Sequence, residues 1–217
     1  MADIAPIYEY AKLILGTDHT GHGFDHVKRV AAMAKQIIAE DQLQVDDYVV
    51  EAAAFLHDTI DDKVVKDVVK DVVKAKEEVQ QCLLAAGATA EQISHIFTII
   101  ENLSFSKELL AGAQVSSLEG QIVKDADRLD ALGAIGILRT SYFGGAHQHP
   151  IHESERAPKT FTNHADYRKG TTVINHFYEK LFLLPEKMHT HFGKQEALRR
   201  KDFMTTFLTE FYREWDV

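Results

Sequence analysis

The sequence predicts an all-α protein organised as one domain over residues 1–217, and three observations carry that prediction. Apolar residues recur at helical spacing, as in Val27, Val30, Ala31, Ala34, Ile37 and Ile38. There are only four prolines, and Ala, Leu, Val, Glu and Lys dominate the early and late thirds. No repeat or linker splits the chain into two domains. Hydrophobic residues at 45% and charged residues at 26% give the balance of a soluble globular protein, long enough to bury a large core.

The elements follow in order. Ile4 to Leu15 reads as an amphipathic helix, with Ile4, Ile7, Ala11, Leu13 and Ile14 roughly on its period. Asp18 to Gly23 is a polar, glycine-bearing loop. The second helix runs from about Phe24 to Glu40 and carries His26 in its first turn. Val45 to Leu56 forms the third. Its small apolar residues belong in a core, yet it ends in adjacent His57-Asp58, followed by Asp61 and Asp62. Burying an imidazole and a carboxylate is costly unless they are paired or bound to a metal. Both are ligands of first-row divalent cations.

The Val-Val-Lys-Asp repeat over residues 64–74 has a period near one helical turn and reads as a surface helix rather than a substrate flap. Lys76 to Ala86 is helical, with Gly87 as its C-terminal cap. Thr89 and Gln92 form a capping box for a helix reaching about Asn102, with His95 inside it, expected to be buried and satisfied. Leu118 to Leu132 is the next helix, and Ala131 to Tyr142 continues it or follows a slight break. Gly133 and Gly136 there are spaced for close packing. Phe143 to Thr162, rich in Gly, His and Pro, is expected to be a mobile surface loop. Tyr167 to Leu184 is expected to be helical, Pro185 opens another segment, and Gln195 to Trp215 closes the domain.

Charge and composition narrow the function. A formal net charge of −9 argues against binding nucleic-acid backbone, which needs clustered positive charge. It leaves room for a phosphorylated small molecule, because a bound cation adds positive charge that the count omits. The single cysteine, Cys82, allows no internal disulfide and fits a reducing cytosol; its apolar setting reads as a small core residue. No apolar run reaches the roughly 18 residues of a membrane span, and Met1 to Tyr10 lacks the features of a secretion signal. A cytoplasmic protein, monomeric or homodimeric, is expected. Of the twelve histidines, His147, His149, His152, His164 and His176 cluster in 147–176 without a compact ligand pairing.

Three strings stand out: Gly21-His22-Gly23-Phe24-Asp25-His26-Val27-Lys28-Arg29-Val30, Ala53-Ala54-Phe55-Leu56-His57-Asp58-Thr59-Ile60-Asp61-Asp62-Lys63, and Asp125-Ala126-Asp127-Arg128-Leu129-Asp130-Ala131-Leu132. His26, His57-Asp58 and Asp127, in that order, resemble the H…HD…D pattern of the HD-domain metal-dependent phosphohydrolase superfamily. The local context is similar to its small stand-alone bacterial branch. The resemblance extends through residues 99–106, 171–190 and 207–215, nearly the whole chain. It implies an HD-type helical bundle with a metal site between helices, its core over about 20–135 and a C-terminal helical part over about 163–217.

The resemblance also implies chemistry. His26, His57, Asp58 and Asp127 would be the metal ligands, two nitrogens and two oxygens, leaving room for water and substrate on a six-coordinate ion. Mn²⁺ is the first choice, with Mg²⁺ or Fe²⁺ as alternatives, and a closed structural zinc site is disfavoured by the absence of thiolates. Asp61 is the candidate general base. Arg128 either meets a phosphate or holds Asp125 or Asp130, and Asp130 in turn is a candidate partner for a ligand histidine. His22 is read as facing substrate or supporting a ligand from behind, rather than as a ligand itself. Lys107 either meets a substrate phosphate or lies free on the surface, and for Lys28 solvent exposure is the simpler assumption. The implied activity is hydrolysis of a phosphate ester or anhydride, most closely a nucleoside triphosphate giving a monophosphate and diphosphate. Two alternatives remain open: a di-iron oxygenase, with His95 as an added ligand, and a non-catalytic nucleotide-sensing module.

Overall fold

The computed structural model describes residues 2–17, 21, 23–60, 70–103, 115–160 and 171–215. Among these the regular structure is all helical, without a strand. Two compact units emerge, Met1–Asp127 and Arg128–Val217.

In the first unit, α1 (Ala5–Leu15) buries Ile7, Ala11 and Leu15, one residue per turn, whereas Leu13, expected on the apolar face, is 77% exposed. Tyr8 meets Phe24 and Phe55 edge-on, at ring separations of 5.0 and 5.5 Å. α2 (Phe24–Asp41) buries a stripe from His26 to Ile37 and ends where Gln42 turns left-handed, so that the Leu43 N–H reaches the Ile38 carbonyl. α3 (Asp47–Leu56) starts two residues later than expected because the Asp46 carboxylate caps it, accepting from Tyr48 N and Val49 N. Seven of its ten residues are buried, and it lies chiefly against α2 and α5.

α4 (Lys70–Ala85) begins earlier than expected and takes in the end of the valine–lysine repeat; the rest of that repeat lies outside the described residues. Gly87, at φ +79°, closes it as predicted. Cys82 is half-buried against α1, its thiol 3.6 Å from the Pro6 carbonyl. α5 (Ala90–Asn102) carries the expected Thr89/Gln92 capping box with both bonds formed. α6 (Leu118–Asp130) approaches α5 at Gly120, where a Cβ would lie 3.2 Å from Ile99 Cγ1.

In the second unit, Gly133 at φ +74° breaks the chain after α6 and opens α7 (Gly133–Ala146), so the slight break is real. The loop expected from Phe143 is helical to Ala146. Residues 147–160 are irregular but tied down. The Pro150 and Ile151 carbonyls accept the first N–H groups of α8 (Val173–Glu179), Asn175 Nδ2 donates to the Arg156 carbonyl, and the Lys159 N–H donates to Glu179. The helix expected over Tyr167 to Leu184 is therefore shorter among the described residues: Thr172 caps its start and Lys180 ends it. Two 3₁₀ turns, Leu181–Leu183 and Pro185–Lys187, lead to α9 (His191–Trp215). That helix starts four residues before the expected Gln195, because Thr190 accepts from the Gly193 N–H. No helix among the described residues is long and apolar enough to cross a membrane.

Candidate metal centre

Three helices of the first unit deliver polar side chains to one point. Gly23, in extended conformation, feeds directly into α2, which places His26 in the first turn with 2% exposure. α3 ends in His57 as its C-cap, followed by Asp58. The Thr59 N–H and hydroxyl both donate to the Leu56 carbonyl there, satisfying a helix-end acceptor. α6 carries Asp127 near its end.

His26 Nε2 lies 3.2 Å from His57 Nε2, 3.5 Å from Asp58 Oδ2 and 3.3 Å from Asp127 Oδ1. His57 Nε2 lies 3.5 Å from Asp58 Oδ1 and 3.8 Å from Asp127 Oδ1. His26, His57 and Asp58 are buried and offer ligand atoms within 4.8 Å of one another. The His57 Nδ1 is 2.8 Å from the Ala54 carbonyl. A carbonyl only accepts, so Nδ1 holds a proton, and Nε2 is the ring atom that faces the cluster. Burial opposes ionisation of Asp127, and Asp58 repels it. The hydrogen bond from His26 and the charges of His57 and His26 outweigh both and hold this carboxyl well below the usual range. Two imidazoles and two carboxylates gathered this closely, one imidazole with its Nε2 facing the cluster, fit a divalent cation by donor chemistry.

The other residues singled out from sequence make contacts of their own. Arg128, 4% exposed, donates from Nη1 to the Lys187 carbonyl at 2.5 Å. Asp130 forms an ion pair with Arg139 at 2.9 Å. The acceptor behind His57 Nδ1 is a backbone carbonyl, Ala54, which no side-chain pattern announces. His95 is half-buried rather than buried, its Nε2 3.8 Å from Glu119 Oε2 and without a hydrogen bond. Lys28 is exposed and pairs with Asp25. Asp61, His22 and Lys107 lie outside the described residues. In the second unit, His147 stacks on Phe143 at 3.9 Å, while His152 sits edge-on to Phe211, Tyr212 and Trp215. Those two histidines serve packing.

Residues 23–132 match the family profile described as HD domain. The protein YpgQ of Bacillus subtilis (strain 168) is 32% identical over 208 residues, covering 96% of this chain and 91% of YpgQ. Its crystal structure in complex with ADP superposes with a TM-score of 0.72, at 28% identity, over 96% of this chain and 92% of that one. A crystal structure from Lactobacillus plantarum gives a TM-score of 0.84 at 39% identity, covering 98% and 96% of the two chains. An HD-superfamily hydrolase from Bacillus thuringiensis gives 0.72 at 32% identity, covering 99% and 97%.

Proposed function

The chain belongs to the HD domain family, and on that premise we propose that it is a metal-dependent phosphohydrolase acting on a nucleotide. The observation that carries the reading is the facing pair of Nε2 atoms, 3.2 Å apart, with carboxylate oxygens of Asp58 and Asp127 against them. The complex of YpgQ with ADP supports a nucleotide as the ligand class.

His26, His57, Asp58 and Asp127 are the proposed holders of the ion. The absence of thiolates and the mixed nitrogen and oxygen donors favour Mn²⁺, with Mg²⁺ or Fe²⁺ next. When bound, such an ion polarises a phosphoryl oxygen and lowers the pKa of a bound water. The chain's own groups do the rest. The Ala54 carbonyl holds the Nδ1 side of His57, so that Nε2 faces the cluster. The depressed carboxyl of Asp127 is ionised throughout the neutral range, so no proton competes for it. Asp61, three residues past Asp58, is the proposed base for the attacking water. Arg128, beside Asp127, is proposed to supply positive charge to a phosphate, and His22 and Lys107 are proposed substrate contacts. The reaction favoured is water attack at the α-phosphorus of a nucleoside triphosphate. The bridging α–β P–O bond breaks, giving a monophosphate and diphosphate.

The test is turnover of a nucleotide panel by metal-stripped protein after Mn²⁺, Mg²⁺ or Fe²⁺ is restored singly, with products separated by chromatography. Metal-dependent release of diphosphate, lost in His57→Ala and Asp58→Ala, is the expected result. Tight metal binding with no turnover of any nucleotide would overturn the hydrolase reading.

A further inference from the structure

A second set of polar groups in the first unit sits at the far ends of the two helices that carry His57, Asp58 and Asp127. Asp46 is its centre. Its Oδ1 accepts from Tyr48 N at 3.1 Å and Val49 N at 3.2 Å, capping α3. Its Oδ2 accepts from Gln92 Nε2 at 2.8 Å, while Gln92 Oε1 accepts from the Thr89 N–H that opens α5. The backbone N–H of Asp46 donates to Glu119 Oε1, in the first turn of α6, at 3.3 Å. One side chain thus ties the start of α3 to the start of α5, and one backbone bond ties it to the start of α6.

These contacts lie a known distance from the metal centre. At about 1.5 Å per helical residue, His57 is roughly 16 Å along α3 from Asp46, and Asp127 roughly 12 Å along α6 from Glu119. At that far end His57 Nε2 and Asp127 Oδ1 are 3.8 Å apart. α3 and α6 therefore run in the same direction between two polar junctions, one of them the metal centre. Between the junctions α3 packs chiefly on α2 and α5, and α6 meets α5 at Gly120.

We propose that Glu119 and Asp46 are positioning residues for the metal centre, locking the axial register of α3 against α6 so that His57 and Asp58 arrive level with Asp127. The proposal rests on the metal-site reading above. Register matters because functional side chains must be held to within about 0.5 Å, whereas a slip of one helical residue moves them by about 1.5 Å and turns them by about 100°.

The experiment is calorimetric titration of Mn²⁺ into metal-stripped protein, at a temperature where circular dichroism shows each variant folded. Glu119→Met keeps the length and packing of the side chain but offers no acceptor, and Glu119→Ala is the second variant. Both are expected to weaken Mn²⁺ binding by up to about tenfold, the lower end of the range for losing a group bonded directly to a metal ligand, since Glu119 acts through the helices rather than on a ligand. Glu119→Gln retains a carbonyl acceptor for the Asp46 N–H and should stay within about twofold of wild type, since that hydrogen bond survives. In an Asp127→Ala background, Glu119→Met should add no further loss, because its effect passes through Asp127. Unchanged affinity in Glu119→Met and Glu119→Ala would overturn the proposal, as would a full further loss in the Asp127→Ala background. Absence of Mn²⁺ binding by the wild-type protein would instead overturn the metal reading itself, and this proposal with it.

Discussion

Adding one methyl group at Gly136 pits helix propensity against a backbone clash. Gly136 lies in the first turns of α7, where Ala is preferred over Gly by about 1 kcal/mol. Propensity alone predicts stabilisation. A Cβ at this position, however, would lie 2.2 Å from the Ala131 carbonyl oxygen and 2.5 Å from its carbon. Neither atom can swing away like a side-chain tip. The Ala131 N–H is bonded to the Arg128 carbonyl, the Leu132 N–H to the Leu129 carbonyl, and Arg200 Nη1 donates to that same Leu129 carbonyl at 2.6 Å. The junction must shift as a piece, and forced shifts of this kind cost about 3 kcal/mol at the upper end of the usual range. Set against the propensity gain, Gly136→Ala should destabilise by about 2 kcal/mol, a fall in Tm of roughly 4–8 °C for a chain of this size. Gly145, in the last turn of the same helix, is the control, since nothing lies within 4 Å of its added Cβ. Gly145→Ala should stabilise by about 0.5–1 kcal/mol. Urea and thermal unfolding followed by circular dichroism would measure both. A Gly136→Ala protein as stable as wild type, or more so, would refute the close approach at the α6–α7 junction.

Other expectations follow from single contacts. Asp46→Ala removes an N-cap worth about 1 kcal/mol and a hydrogen bond to Gln92 worth about 1 kcal/mol, so urea unfolding should show a loss near 2 kcal/mol. Asp46→Ser, which caps but does not reach Gln92, should recover about half, and equal losses in the two variants would contradict the double role. Glu196 is held at a pKa of about 2, against an ordinary 4.5, by hydrogen bonds from Arg199 and Arg200 and by their charges, despite partial burial. A depressed folded-state value means that its contribution is complete above about 4.5 and is lost as pH falls from there toward about 2. Glu196→Gln should therefore lower stability at neutral pH and flatten the acid limb in that window, and an unchanged acid limb would contradict the pairing. Burial pushes the Cys82 thiol up, so alkylation by iodoacetamide at pH 8 should run slower than for a free thiol and recover in urea; a native rate equal to the free thiol would contradict its placement against α1.

The parts of this molecule legible in the sequence are those where one residue type has few local uses. The Thr89/Gln92 box and Gly87 at φ +79° are local devices, and both formed as read. His57-Asp58 stood out as an imidazole and a carboxylate ending a core helix, but His26 and Asp127 were joined to that pair only through the resemblance to the H…HD…D pattern, and the structure brings the four together. Long-range partners were not legible. The Ala54 carbonyl behind His57 has no side-chain signature. Glu119 bonds the backbone of a residue 73 positions away. The polar composition of 147–160 indicated a loop, but not that α8 would cap its own N–H groups on the Pro150 and Ile151 carbonyls, nor that Glu179 would take the Lys159 N–H and the Thr171 hydroxyl. Leu13 followed the helical period and still faces outward, because Ile7, Ala11 and Leu15 already fill the buried face of α1.

His26, His57, Asp58 and Asp127 are proposed to hold a divalent cation together. Calorimetric titration of Mn²⁺ into the metal-stripped wild type and into the four single alanine variants tests it most directly. Saturable binding by the wild type and a loss of tenfold or more in each variant are expected, since each variant would remove a proposed direct ligand and direct ligands matter at least as much as their outer partners. Wild-type affinity retained in two or more of the four variants would contradict it, because the cation would then be held elsewhere.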